Sequence, residues 1–326
     1  MSILDRPAAA LSWLGRHGTR AVAVSMFVGI ALPPLGAVLR PYFPETVVVL
    51  LILAFLRVDP AALLAQLHKP GVLIASAAWT MLILPVLGLL ALLGAELAMP
   101  ALLLALVLHA VAPPTFSSPS LAALIGLNGA VSLALLIACT AMTPFTAPAL
   151  VAAFFGAEVT ISPLALGLRL VLILAGAASV SLAIRAIAGK QWIERQSQRI
   201  DGLSVIALFG FAIALMGNVL ENAIANPLLV LGLIVLATSV SLGLSALTAL
   251  VFLRTGWDTA LTLGHAAGSR NMGLMLAAAA GQVPELVWLY VALAQFPIYL
   301  LPLPFKPLVR RLLPRQDAAN TGGRNK

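Results

Sequence analysis

Charged residues are scarce in this chain. Asp, Glu, Lys and Arg together make up 9% of the 326 residues, whereas hydrophobic residues make up 61% and the mean hydropathy is +1.07. A soluble domain carries about 25% charged residues, so the composition excludes an ordinary soluble protein. It predicts a polytopic membrane protein.

Cysteine is almost missing, and acidic residues are few. The single cysteine, Cys139, lies in an apolar run, which excludes an intrachain disulfide and favours a small buried side chain. The 19 Lys and Arg outnumber the 11 Asp and Glu, but they stand in short segments between apolar runs. A nucleic-acid-binding protein would gather them on one face with interleaved aromatic residues, so we expect no nucleic-acid partner.

Ten apolar segments follow one another along the chain. A transmembrane helix needs about 20 apolar residues to cross about 30 Å of hydrocarbon, and these segments approach or exceed that length, apart from a short second one. The predicted spans are 20–38, 44–57, 71–94, 99–126, 129–153, 162–185, 202–220, 227–253, 257–281 and 284–303.

The positions of the charges predict the orientation. With both termini in the cytoplasm, most of the 19 basic residues fall in inner segments, as the positive-inside rule requires. The outer loops then keep Arg40 and five glutamates, which are Glu45, Glu96, Glu158, Glu221 and Glu285. This pattern predicts an integral membrane protein with its N and C termini inside. We expect the membrane to be a bacterial inner membrane.

Ten spans divide into two sets of five. Because each half has an odd number of helices, the second half enters the membrane in the opposite orientation to the first, as in an inverted-topology repeat. We therefore predict a cytoplasmic segment at 1–19, a first repeat at 20–153, a second at 154–303 and a basic tail at 304–326. The tail is typical of a contact with anionic lipid.

The fourth and ninth spans are interrupted at corresponding places. The fourth reads "LLLALVLHAVAPPTFSSPSLAALIGLNGA" and the ninth reads "DTALTLGHAAGSRNMGLMLAAAAG". Two such breaks predict half-helix ends that meet at the membrane midplane and form an ion and substrate site, although proline kinks satisfied by Ser and Thr are the alternative. The residues that interrupt the spans are Pro113, Pro114, Pro119, Gly264, Gly268 and Gly273.

The chain resembles the bile acid:sodium symporters, within the bile/arsenite/riboflavin transporter superfamily. The resemblance rests on "HKPGVLIASAAWTMLILPVLG", "APPTFSSPSLAALIGLNGAVSLALL", "TPFTAP" and "TGWDTALTLGHAAGSRNMGL". It implies an all-α fold of ten transmembrane helices in a panel and a core domain, with unwound fourth and ninth helices that cross. It also implies secondary active transport of organic anions by alternating access.

The sodium-site pattern of that family is altered here. Its Ser-Asn pair in the fourth helix corresponds to Ser118 and Pro119, and its glutamate in the ninth helix corresponds to Ala266. The following Gln-Asn pair becomes Arg270 and Asn271. Sodium prefers oxygen ligands, so we infer that these sites are not preserved. The remnants of the ion site would be Ser118, Ser132, Thr80, Ala266 and Asn271.

Arg270 is the strongest candidate for a functional residue. A charge inside a membrane span costs about 2.5–3.5 kcal/mol on insertion scales and usually marks a pathway or site. A guanidinium also pairs bidentately with carboxylate, so Arg270 is a candidate cation for an anionic substrate. The alternative is that Arg270 satisfies carbonyls freed at the breaks.

Further polar residues of the two breaks complete the predicted substrate site. His265 and His109 add a possible route for proton coupling, although a hydrogen-bonded packing role is the alternative. Gln295 and Asn218 are weaker candidates for the cavity wall, and Arg169 is expected to reach the outer interface. The predicted substrate-binding residues are Arg270, Asn271, Ser118, Ser117, Thr115, Ser269, His265 and His109.

Other function classes remain open beside an organic-anion transporter. These are a sodium-dependent symporter with a rebuilt ion site, and a proton-coupled or passive facilitator. An intramembrane enzyme is disfavoured because the chain has no HExxH motif and no pair of aspartates within its spans. We expect no catalytic residue and no metal or other cofactor, although a role for the sodium ion stays open. The expected partners are the anionic substrate and the lipid bilayer, and no protein partner is expected.

Overall fold

The structure, a computed structural model, describes residues 11–14, 18–58, 70–93, 99–155, 162–279 and 282–313. Within these ranges the regular elements are helices. The first half contains α1 (Gly18–Ala31), α2 (Pro33–Leu39), α3 (Phe43–Leu56), α4 (Pro70–Ala78), α5 (Leu84–Leu93), α6 (Pro100–Val111), α7 (Ser118–Ile125) and α8 (Gly129–Phe155). The second half contains α9 (Pro163–Ala188), α10 (Lys190–Arg195), α11 (Ser197–Met216), α12 (Val219–Ala225), α13 (Pro227–Val251), α14 (Trp257–Gly268), α15 (Met272–Ala278), α16 (Glu285–Leu300) and α17 (Pro302–Leu312).

Seven helical stretches of the described residues are long and apolar enough to cross a membrane. They confirm the prediction of a polytopic membrane protein. The stretches are Pro33–Leu56, Pro70–Leu92, Gly129–Phe155, Pro163–Ala188, Ser197–Ala225, Pro227–Val251 and Glu285–Pro307. The stretch Pro33–Leu56 joins α2, from the end of the predicted first span, to α3 of the second, so α1 of the first span stands apart as a shorter helix. The predicted fourth span is divided into α6 and α7, and the ninth into α14 and α15.

Proline explains where many of the helices begin. A proline in the first turn loses no hydrogen bond, because the N–H groups there have no acceptor within the helix. Pro33 also forces the preceding Leu32 out of helical geometry, which separates α2 from α1 within the predicted first span. Helices that begin at proline are α2, α4, α6, α9, α13 and α17.

The direction of α1 follows from its contacts with α11. Leu11, just before α1, lies against Gly202 at the start of α11, and Gly29 near the end of α1 lies against Ile213. The first contact is near the N-terminal end of both segments, and the second is near the C-terminal end of both. The two helices therefore run parallel.

The direction of α3 is the opposite. Phe43 at its start stacks on Phe211 with ring centroids 5.1 Å apart, and Arg57 at its end forms an ion pair with Asp201. The chain thus turns back between α1 and α3, at α2 and the 3-10 turn Arg40–Tyr42. We call the two ends of this bundle the Arg57 end and the Arg40 end.

The helices pack in two groups. In the first, α1 and α3 pack on α11, and α9 packs on α3; we call these the four-helix group. In the second, α8 packs on α7 and α14, α13 packs on α14 and α16, and α6 packs on α16; we call α4 to α8 and α13 to α16 the broken-helix group. The two groups meet where α8 packs on α9, where α15 packs on α3 and α9, and where α11 packs on α16.

Part of the predicted domain pattern lies outside the described residues. This applies to Glu96 and Glu158 among the outer glutamates, to most of the N-terminal segment 1–19 and to residues 314–326 of the basic tail. Cys139 is described and is fully buried among Ala77, Met81, Leu135 and Ala266, which confirms its predicted role as a small core residue.

Candidate functional site

The two interrupted spans cross at their breaks. The residues between α6 and α7 lie beside the residues between α14 and α15, and Pro114 faces Arg270 in an antiparallel bridge. Two backbone hydrogen bonds of 2.7 Å flank the bridge, from the Thr115 N–H to the Ser269 carbonyl and from the Asn271 N–H to the Pro113 carbonyl. The backbone groups that leave one helix are therefore partly satisfied by the other, as an apolar environment demands.

Local sequence accounts for both breaks. Pro113 and Pro114 have no N–H, so α6 cannot continue its hydrogen-bond ladder through them. On the other side, the Oδ1 atom of Asn271 accepts the Leu274 N–H at 3.1 Å and caps the start of α15. The break between α14 and α15 is therefore only three residues long, from Ser269 to Asn271.

Arg270 is the largest of the side chains that are almost completely buried, with 1% of its surface exposed. Its Nη1 atom donates to the carbonyl of Ala112 at 2.7 Å and to that of Thr80 at 3.2 Å, and its Nη2 atom donates to Thr80 at 3.3 Å. The guanidinium thus links the two breaks to a third element, the π turn Trp79–Ile83 between α4 and α5.

The carbonyl of Thr80 is free for Arg270 because of this π turn. The N–H of Leu84 donates to the carbonyl of Trp79, five residues back, instead of to that of Thr80. In the same register the carbonyl of Thr80 would accept from residue 85, which is a proline and has no N–H. A buried carbonyl without a donor is costly, and Arg270 supplies the donor.

These bonds bear directly on the two interpretations of Arg270. The carbonyls of Thr80 and Ala112 occupy Nη1 and Nη2, so the guanidinium does satisfy freed carbonyls, as the alternative interpretation requires. The bidentate face that would meet a carboxylate is engaged in this conformation. Only Nε has no hydrogen-bond partner among the described residues.

A cavity of about 590 Å³ lies between the four-helix group and the broken-helix group. It reaches from Arg57 and Asp201 at the Arg57 end to the crossing, where Arg270 and Asn271 line it. This volume is in the range of small-molecule sites, about 300–1,000 Å³. Its aromatic lining residues are Phe55, Phe116, Phe211 and Tyr299.

The cavity brings together only part of the predicted substrate site. Thr115, Ser117, Arg270 and Asn271 line it, and so does Gln295, one of the weaker candidates. The other weak candidate, Asn218, lies at the Arg40 end, where it donates to Glu285. Gly264 and Gly268 contact α13 instead of the cavity.

Four predicted substrate-binding residues lie outside the lining of this cavity. The hydroxyls of Ser118 and Ser132 hydrogen-bond to each other at 2.8 Å. His109 is buried with its Nδ1 atom 2.9 Å from the hydroxyl of Tyr290. The other two are Ser269, which directly follows α14, and His265 within α14, a helix that packs on α13 and α8.

The sequence did not single out several residues of the lining. Thr140 and Ser204 lie on α8 and α11, and Asp201 pairs with Arg57 at the rim. Thr140 and Ser204 lie in predicted spans without a break, and Asp201 lies directly before one. A signal was available only for Thr140, because Pro144 lies four residues later and leaves the Thr140 carbonyl without its helical donor.

Three polar groups without hydrogen-bond partners lie where the cavity reaches the crossing. Asn271 Nδ2, Arg270 Nε and Thr140 Oγ1 are buried without a hydrogen-bond partner among the described residues, and all three residues line the cavity. A buried donor without an acceptor costs about 1–3 kcal/mol. Hydrogen-bond acceptors brought by a ligand would offset that cost.

The residues predicted as remnants of an ion site have other partners. Ser118 and Ser132 bind each other, and Oδ1 of Asn271 accepts the Leu274 N–H. The carbonyl of Thr80 accepts hydrogen bonds from Arg270, whereas its buried hydroxyl has no hydrogen-bond partner among the described residues. Ala266 packs beside Cys139. Within the described ranges, no three His, Cys, Asp or Glu side chains lie close enough together to hold a metal ion.

The fold and this crossing define a helical membrane protein with a cavity that ends at two interrupted helices. No protein-family model matches the chain, and no curated protein matches it either.

Proposed function

We propose that this protein is a secondary transporter of a small organic anion that works by alternating access. The observation that carries the proposal is the crossing itself. Two helices stop and restart at one point, Arg270 is buried there, and a cavity between two groups of helices ends on it. Irregular backbone at membrane depth is typical of substrate sites in transporters.

The chemistry of the cavity favours an anion with an apolar part. Arg270 is a permanent cation whose field is weakly screened in a buried site. Asn271 adds an amide with free N–H groups, and Thr140 adds a hydroxyl. Phe55 of α3 and Phe116 at the crossing meet edge to face, with centroids 6.3 Å apart, and offer an apolar surface to the cavity.

In this proposal Arg270 acts through its charge more than through a bidentate contact. Its two terminal nitrogens bind the carbonyls of Thr80 and Ala112, which are oxygen ligands of the kind a bound cation would take. A fixed guanidinium then supplies the positive charge at the crossing, and transport does not need the sodium sites of the family that the sequence resembles. A proton-coupled or passive facilitator would use the same cavity.

The proposal includes ten membrane-spanning segments in two inverted repeats, with a panel of four helices and a core of six. It is supported by the antiparallel courses of α1 and α3 beside α11, and by two interruptions that lie one in each half and bind each other. The panel corresponds to the four-helix group and the core to the broken-helix group. The termini lie in the cytoplasm of a bacterium in this arrangement.

Uptake into liposomes tests the function. Purified protein is reconstituted and assayed with radiolabelled benzoate, pyruvate and cholate, under a sodium gradient, under a proton gradient and with neither. We expect uptake of at least one anion that does not depend on sodium. Strict dependence on sodium would contradict the proposal that Arg270 supplies the positive charge in place of sodium. Accumulation of the anion against its concentration gradient would indicate coupled transport, and its absence would indicate passive transport.

A pair of matched variants locates the pathway. Leu208→Trp fills the cavity, whereas Leu203→Trp adds the same side chain on the exposed face of the same helix. We expect Leu208→Trp to lower uptake at least tenfold and Leu203→Trp to leave it within about twofold, because only the first reduces the volume open to substrate. Equal effects would argue against this cavity as the route.

A further inference from the structure

The two helix groups are joined by polar contacts at the Arg40 end. The Nη2 atom of Arg40, in the turn between α2 and α3, lies 2.5 Å from Oε1 of Glu285 at the start of α16. Asn218, between α11 and α12, donates from Nδ2 to Oε2 of the same glutamate at 3.2 Å. Both oxygens of one carboxylate on the broken-helix group are thus bound by the chain of the four-helix group.

Two further contacts of arginine side chains reinforce this junction. The guanidinium of Arg40 lies over the ring of Trp288, with 4.4 Å between Cζ and the ring centroid. Arg169 of α9 donates to the carbonyl of Ala278 at the end of α15, at 3.5 Å. Arg169 was expected to reach the outer interface, and here it contacts a helix end of the other group.

An aromatic layer lies beneath these polar contacts. Phe43 of α3 stacks on Phe211 of α11 and meets Trp288 of α16 edge to face, each with centroids 5.1 Å apart. Phe211 also presses on Gly273 in α15, where an added Cβ would lie 2.7 Å from the ring. The cavity is therefore closed on this side by side chains from both groups.

We propose that Arg40, Asn218 and Glu285 form a latch that keeps the Arg40 end closed while the cavity is open at the Arg57 end, and that its release exposes the site to the other side of the membrane. This inference rests on the proposed alternating-access function. It adds the position of the barrier and the residues that hold it.

The latch residues are exposed to solvent, which is expected of a contact that breaks and re-forms. The side chain of Arg40 is 33% exposed and that of Glu285 is 68% exposed. Exposed ion pairs are individually weak and are screened by salt. Water can therefore replace the ion pair at low cost when the groups separate, whereas the aromatic layer below provides the closer seal.

A cysteine near the Arg57 end of the cavity reports whether that end is open. In a Cys139→Ala background, Ser204→Cys places one thiol in the cavity lining on α11, on the same helix as Asp201 and close to it at the Arg57 end. The rate of its modification by N-ethylmaleimide is measured in purified protein in nanodiscs, without any substrate. We expect Glu285→Gln to lower that rate by about two- to fivefold, because loss of an exposed ion pair shifts the population toward the state closed at the Arg57 end.

Three comparisons make the result specific. Glu45→Gln removes an exposed glutamate near the same end and should leave the rate unchanged. The exchange Arg40→Glu with Glu285→Arg restores opposite charges and should recover the rate. In the protein without a latch substitution, raising salt to about 1 M, where the screening length is about 3 Å, should lower the rate as Glu285→Gln does.

The outcomes separate the latch from the transport function. An unchanged rate in folded Glu285→Gln, or an equal fall in Glu45→Gln, would overturn the latch. If Glu285→Gln does not fold, the salt response and the charge exchange decide instead, and the absence of both effects overturns it. Since no substrate is used, a failure to transport anions in liposomes would not alter this result.

Discussion

At the scale of single residues, Arg270 combines a structural and an electrostatic role. It satisfies two backbone carbonyls that prolines and a π turn have left without donors, and it places a permanent charge at the inner end of the cavity. The glycines beside Arg270 in the sequence predicted that this residue lies in the break of the ninth span. It could not show which atoms the guanidinium binds, because Thr80 and Ala112 are distant in the chain.

Replacement of Arg270 should test the structural role. Arg270→Met leaves the carbonyls of Thr80 and Ala112 unsatisfied, and we expect a loss of about 2–4 kcal/mol of stability and a fall of about 5–10 °C in apparent Tm. Arg270→Lys keeps the charge and part of the hydrogen bonding, so its apparent Tm should lie between those of the unsubstituted protein and Arg270→Met. The apparent Tm is measured by thermal unfolding in detergent.

The exposed Arg254 supplies the matched control. Arg254→Met removes the same kind of side chain from a surface turn and should change the apparent Tm by less than about 1 °C, since surface substitutions are close to neutral. A similar loss in both variants would mean that the hydrogen bonds at the crossing contribute little.

At the scale of helices, close backbone contact sets the position of α14. A Cβ at Gly264 would lie 2.5 Å from the carbonyl of Ser245, and a Cβ at Gly268 would collide with the hydroxyl of Ser245 and the carbonyl of Ser241. Small residues let membrane helices approach in this way. The sequence predicted these two glycines as part of a helix break, but both lie within α14, and their reason is the contact with α13.

Added methyl groups should distinguish packing from flexibility. Gly268→Ala must push α13 and α14 apart, and we expect a cost of about 1–3 kcal/mol in the free energy of unfolding, measured by denaturant titration in detergent. Gly243→Ala on α13 meets no atom within 4 Å and should be neutral or stabilising by up to about 1 kcal/mol. A stabilising Gly268→Ala would contradict the observed contact.

The element boundaries show why prediction from the sequence was partial. Proline and glycine indicated the breaks in the fourth and ninth spans, because their backbone effects are local. The π turn at Trp79–Ile83 carried only a weak signal, the proline at position 85. Its position is coupled to Arg270, which is 190 residues away from Thr80.

At the scale of the whole molecule, the proposed orientation can be tested from both sides of the membrane. In a Cys139→Ala background, Glu221→Cys lies beyond the Arg40 end and Gln191→Cys lies on α10 beyond the Arg57 end, and both positions are exposed. We expect a membrane-impermeant maleimide to label Glu221→Cys in intact bacteria and Gln191→Cys only after permeabilisation, because the basic segments stay inside. The reverse pattern would contradict the N-in topology.

The sequence by itself determined that the chain is a membrane protein, where most spans lie and where two of them are interrupted. These properties depend on hydropathy and on local backbone chemistry, which neighbouring residues decide. Only the tertiary structure decided which polar residues face the cavity. Ser118 turns to Ser132 and His109 to Tyr290, whereas Thr140 and Asn271 reach the lining. The face that a residue presents depends on packing between helices distant in the chain, and hydropathy along one helix does not specify that packing.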